Sequence, residues 1–121
     1  MPNRAVSVLE VHGTADEAVK YDGGVIADGF KPYVGAVATV QMWARLDGCR
    51  VQPDSPAPPA RTIEQLLPPA IVRAYSVGCA LGGHAELWTQ AGGIHKPVLA
   101  ASFSDQLIGF LLSHPRPQHP A

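Results

Sequence analysis

The chain has little of what marks several large protein classes. Only 2 of its 121 residues are cysteine, too few for a disulfide-dense scaffold or a cysteine-built zinc finger. Lys and Arg number 9 against 10 Asp and Glu, and the formal charge is −1, which argues against nucleic acid or an anionic membrane as a partner. No apolar run approaches the ~20 residues of a membrane span. The start, Met1-Pro2-Asn3-Arg4, is not read as a signal peptide, because the apolar stretch behind it carries Glu10 and reads as a strand. No Gly-x-Ser-x-Gly turn occurs anywhere, which excludes a nucleophile presented on that motif.

What remains is ordinary globular material, 46% hydrophobic and 16% charged, enough for one core and read as a single domain over 1–121. Residues 5–11 mix Val, Leu and Ala without alternation, as in a strand of a parallel sheet covered on both faces. A long Gly- and Asp-punctuated loop follows, from Gly13 to Pro32. From about Val34 the period becomes helical, with Val37, Val40, Ala44 and Leu46 on one side, Trp43 adjacent and Gly48 as the stop. Residues 51–61 are a Pro-rich exposed loop. Thr62 and Gln65 have capping-box spacing, and Pro68-Pro69 limit any helix there to one turn. Ile71–Val77 and Ala85–Thr89 read as strands whose short connection demands an antiparallel hairpin. A last helix starts at Ser102 or Ser104 and ends before Pro115, leaving a frayed tail over 115–121.

Two loops carry chemistry. The first strand runs into His12-Gly13-Thr14-Ala15-Asp16, and a later one into Gly92-Gly93-Ile94-His95. An acid beyond one strand followed by a histidine beyond another is the order in which an α/β-hydrolase presents the second and third members of its triad. Taken alone, Asp16 is equally a turn residue and His95 a surface loop histidine. His12, at a strand end, is read as packing or bonded to backbone, whereas His84, His114 and His119 are read as solvated. Ser7, Ser55, Ser76, Ser102 and Ser104 are poor nucleophile candidates, since none lies on a tight strand-to-helix turn. Trp43 and Trp88 are read as core. Cys49, Cys79, His84 and His95 lack zinc-like spacing, so no metal or other cofactor is expected.

The motifs His12-Gly13-Thr14-Ala15-Asp16-Glu17, Tyr21-Asp22-Gly23-Gly24, Trp43-Ala44-Arg45-Leu46-Asp47-Gly48-Cys49, Gly78-Cys79, Gly92-Gly93-Ile94-His95 and Phe110-Leu111-Leu112-Ser113-His114-Pro115 recur here in one order. In that order they resemble the carboxyl-terminal half of the poly(3-hydroxybutyrate) depolymerase and feruloyl esterase family of secreted α/β-hydrolases. The resemblance implies an α/β fold: a partial hydrolase sheet with a core strand, a helix, an antiparallel hairpin and a closing helix. It also implies Asp16 as triad acid, His95 as general base, a Cys49–Cys79 disulfide, a secreted setting, an ester substrate and a nucleophile upstream of this chain. The start is accordingly read as internal to a larger ancestral domain. The edge of strand 5–11 would then be open and would favour a homo-oligomer. Two other expectations stand beside this one: a non-catalytic module that pairs through that edge, and a small standalone esterase with a site formed between subunits.

Overall fold

The computed structural model describes residues 5–25, 31–51 and 58–115. In chain order they form β1 (Val8–Gly13), β2 (Gly23–Gly24), β3 (Tyr33–Val34), α1 (Ala36–Leu46), β4 (Arg61–Ile63), β5 (Leu66–Leu67), β6 (Ala70–Ala74), β7 (Ala85–Gln90), β8 (Val98–Leu99) and α2 (Phe103–Ser113). The class is mixed α/β. Four strands make one mixed sheet in the order β1-β7-β6-β4, with β1 parallel to β7 and the β7–β6 and β6–β4 pairs antiparallel. Two small ladders, β2–β3 and β5–β8, lie outside it. No helix among the described residues is long and apolar enough to cross a membrane.

Strand β7 is paired on both sides and buried at every position. Its side chains alternate between two packed layers. Ala85 and Leu87 meet Ala36, Val40 and Ala44 of α1, three positions spaced by four along one helical stripe. Trp88 meets Ile63, Leu66, Ala70, Val72 and, from α2, Phe103 and Phe110. The sheet is therefore covered on both faces by helices.

Helix α1 ends where expected. Gly48 adopts φ +75°, which an L side chain rarely takes, and its N–H returns to the Arg45 carbonyl at 2.9 Å. Buried Asp47 beside it accepts from the Val6 N–H at 2.8 Å and so ties the lead into β1 to the end of α1. Cys49 and Cys79 are joined in a disulfide, which links the helix end to the β6–β7 connection.

Several expectations need correction. Arg61–Ile63 and Leu66–Leu67 form β4 and β5 with a turn between them and no helix, because Ile63 and Leu66 are fully buried and pairing of β4 with β6 and of β5 with β8 supplies the backbone bonds. The first strand begins at Val8 and continues to Gly13, since β7 offers partners only from Ala85 onward, and half-buried Ser7 lies outside it. β6 ends at Ala74, so Ser76 sits beyond the strand. β1 is an edge strand whose positions are mostly half-buried. In the expected Pro-rich loop, residues 52–57 lie outside the described residues, Pro58 to Ala60 are exposed, and Arg61 already belongs to β4. Ser55, His119 and the tail over 116–121 also lie outside the described residues.

The two-layer packing yields a direct contrast. Leu87→Ala empties a site with no solvent exposure and should cost about 2–5 kcal/mol of unfolding free energy. Leu112→Ala, at 77% exposure on the outer side of α2, should stay within about 0.5 kcal/mol. Urea unfolding curves followed by Trp fluorescence measure both.

Candidate active site

Parallel pairing brings two loops to the same end of the sheet. β1 and β7 run in register from Val8 opposite Ala85 to Gly13 opposite Gln90, so the segments after Gly13 and after Gln90 leave side by side. They are then bonded to each other: Thr14 N–H donates to the Gln90 carbonyl (3.0 Å), Ala15 N–H to the Gly93 carbonyl (2.9 Å) and Gly92 N–H to Thr14 Oγ1 (2.8 Å). The approach is close enough that a Cβ on Gly13 would overlap the Gly93 backbone. Gly93 is equally constrained, because a Cβ there would strike the buried Gln90 side chain.

This contact sets Asp16 and His95 against each other. Asp16 Oδ1 accepts the backbone N–H groups of Ala18 and Val19, both at 2.9 Å, in the manner of an Asx turn. Its Oδ2 lies 2.9 Å from His95 Nδ1. Burial pushes the Asp16 carboxyl upward, but the bonds from His95, Val19 and Ala18 and the charge of His95 outweigh it and hold the group below its ordinary range. An ionised carboxylate only accepts, so a proton sits on Nδ1, and in the neutral ring Nε2 is left with a lone pair. The His95 side chain is 54% exposed while that of Asp16 is 6% exposed, so the acid is enclosed and the base faces outward. As a unit the pair can orient an imidazole and take up a proton at Nε2.

A cavity of about 300 Å³ opens beside them, lined by Glu10, His12, Asp16, Gln90, Ile94 and His95 among others. None of the lining side chains carries a hydroxyl or a thiol. His12 bonds the Val19 carbonyl at 2.7 Å, the backbone role expected of it; its 3.5 Å separation from Asp16 Oδ2 is secondary to that bond. The Tyr21 ring stands edge-on to His12, and its hydroxyl bonds Thr89 Oγ1 at 2.8 Å. Glu10 was not singled out by the sequence reading. Burial raises its carboxyl above the ordinary range, only partly offset by His12, and its Oε2 is buried with no hydrogen-bond partner among the described residues. Period-two alternation along β1, which places Glu10 and His12 on one face, was the available signal.

The other singled-out residues lie apart from this cavity. Trp88 is fully buried and Trp43 half-buried. Ser102 precedes α2 without making a side-chain cap bond, and Ser104 is exposed. Cys49 and Cys79 are consumed by their disulfide, and among the described residues no cluster of three or more His, Cys, Asp or Glu side chains could hold a metal ion. His84 and His114 are not solvated as expected. His84 bonds Ser76 and Glu86, and His114 stacks on the His84 ring at 3.8 Å, because the start of β7 and the end of α2 meet there. No family model, curated protein or solved structure matches the chain.

Because the Asp16 carboxyl is held below its ordinary value of 3.8, its stabilising effect is complete above that value and is lost as pH falls through the folded-state value. Asp16→Asn should therefore lower the urea midpoint near neutral pH, and the gap to the wild type should close progressively below about pH 4. Urea titrations from pH 7 down to pH 2.5 measure that gap. Separately, Gly13→Ala should destabilise by about 1–3 kcal/mol, because backbone and not a flexible side chain must move.

Proposed function

We propose that Asp16 and His95 are the acid and general base of a serine-type carboxylic-ester hydrolase of the polyester depolymerase and feruloyl esterase kind, built on part of an α/β-hydrolase sheet. The observation that carries this reading is the 2.9 Å bond between His95 Nδ1 and Asp16 Oδ2, with Nε2 left to serve a nucleophile. Asp16 holds the ring and offsets the charge of the imidazolium. His95 takes the proton of the attacking hydroxyl, returns it to the departing alcohol, and then activates water to deacylate. The cavity lining offers no hydroxyl, so in this reading the nucleophile comes from beyond it, from further chain or from another subunit. The disulfide fits an oxidising, secreted setting.

The Asp16–His95 cavity should by itself contribute only slow hydrolysis of p-nitrophenyl butyrate, because its lining holds no nucleophile, and a positioned nucleophile and oxyanion donors carry most of the acceleration in acyl transfer. A share of that slow rate should depend on the pair: lost in His95→Ala and reduced about tenfold or more in Asp16→Asn. A rate untouched by His95→Ala would end the reading.

A second reading, a module that self-associates, is favoured by the position of β1 at the sheet edge. Its outer backbone groups, flanked by Leu9 and Val11 with Glu10 between them, suit pairing with the same strand of a second copy across a twofold axis. Light scattering at micromolar concentration should then report a dimer or larger species, and a monomer would exclude this pairing.

A further inference from the structure

At the opposite end of β7 from His95, one face of the sheet assembles a second set of reactive groups. Alternation puts His84, Glu86 and Trp88 on a common face. The antiparallel register pairs Val72 with Trp88 and Ala74 with Glu86, and one further step beyond β6 sets Ser76 opposite His84. The side chains are bonded in series: Ser76 Oγ lies 2.6 Å from His84 Nδ1, and His84 Nε2 lies 3.0 Å from Glu86 Oε1. The other carboxylate oxygen, Oε2, accepts from Trp88 Nε1 at 2.6 Å and lies 3.7 Å from Arg61 Nη2.

Glu86 is buried, and burial alone would raise its carboxyl. The bonds from His84 and Trp88 and the charges of His84 and Arg61 outweigh that and bring it below the ordinary range. An ionised Glu86 only accepts, so a proton sits on His84 Nε2, and the neutral ring turns its Nδ1 lone pair toward the Ser76 hydroxyl. The ring is held on several sides. His114 stacks on it at 3.8 Å with planes 14° apart, and donates its own Nδ1–H to the Phe110 carbonyl at 2.9 Å. The His84 carbonyl accepts the Val8 N–H at 2.7 Å. Gly83, at φ +82°, leads into it through a turn in which a Cβ would lie 2.8 Å from the Asp47 carboxylate.

We propose that Ser76, His84 and Glu86 form a nucleophilic site, separate from the Asp16–His95 cavity, that takes the acyl group of small activated carboxylic esters onto Ser76. Oγ attacks the carbonyl carbon while its proton passes to His84 Nδ1, with Nε2–H still bonded to Glu86. Collapse of the tetrahedral adduct breaks the bond to the leaving alcohol, which departs with the proton from Nδ1. Water, deprotonated by the same nitrogen, then releases the carboxylic acid and restores Ser76. The two ring nitrogens exchange the places they hold in the familiar serine triad. The chemistry tolerates this, because it needs one basic nitrogen at the hydroxyl and one N–H at the carboxylate. The Arg50 guanidinium lies against Gly78, two residues beyond Ser76, and adds positive charge at this end of the sheet. Ser76 is half-buried, and the ring it bonds is packed against Phe110 and His114 at the end of α2, which restricts the site to short, unhindered acyl groups.

A structural pin would make the same hydrogen bonds but would not make Ser76 reactive. The test is covalent labelling of the intact chain with diisopropyl fluorophosphate, in which Oγ displaces fluoride from phosphorus, followed by peptide mass mapping. The expected result is one adduct, on Ser76, forming about 100-fold more slowly in His84→Gln and about tenfold more slowly in Glu86→Gln. An unlabelled wild-type chain, an adduct on any other residue, or equal rates in wild type and a folded His84→Gln would overturn the proposal. The wild-type result stands even if a variant misfolds. Because the adduct is mapped to a residue, its absence from Ser76 leaves the Asp16–His95 reading untouched.

Discussion

Strand β7 is the element on which the rest of the molecule depends. It is paired on both edges and packed on both faces, so its register decides the contents of two cores and two polar sites at once. Shifting it by one residue would turn Trp88 toward α1 and Leu87 toward α2, and would separate Glu86 from Arg61 and His84 from Ser76. A hydrophobic pattern alone would permit that slip poorly, because both faces already hold side chains of fitted volume. Two polar groups on the strand reinforce the register, since Thr89 reaches Tyr21 and Gln90 reaches the Pro68 carbonyl in only one alignment.

That reinforcement follows from the cost of burying a polar group without a bond, on the order of 1–3 kcal/mol for a neutral group and more for a charge. Glu86, Thr89 and Gln90 are buried along β7, and each is bonded: Glu86 to His84 and Trp88, Thr89 to Tyr21, and Gln90 to the Pro68 carbonyl. Elsewhere the satisfaction is less complete. Asp47 Oδ2 and Glu10 Oε2 are buried with no partner among the described residues, and burial raises both carboxyl groups. The molecule thus has carboxylates of two kinds. Donors hold the carboxyls of Asp16 and Glu86 below the ordinary range, whereas burial raises those of Asp47 and Glu10 above it.

Local pattern and tertiary context divided the fold unevenly. Helix α1 was legible because Val40 and Ala44 repeat at four-residue spacing and Gly48 closes the last turn. The β6–β7 hairpin was legible because two apolar runs joined by so short a connection leave no room for a crossover. Strand β4 was not, because Thr62 and Gln65 have capping-box spacing that only pairing with β6 overrides. His84 and His114 look solvated in the sequence because one lies in a hairpin connection and the other at a helix end. Their stacking joins positions thirty residues apart in the chain, and no local window contains both.

By itself the sequence determined the class, the central elements and the two loops that end in Asp16 and His95, since each of these rests on residues close together in the chain. Glycines at 13 and 93 could be read as turn signals, but not as the two sides of one backbone contact. Only the tertiary structure decided that contact, because parallel pairing of β1 with β7 joins segments about eighty residues apart and sets the loops level. Only the tertiary structure, likewise, set Ser76 across from His84. A hydrogen bond between strands depends on which residue of the partner arrives opposite, and that is fixed by the burial of the whole strand rather than by either residue.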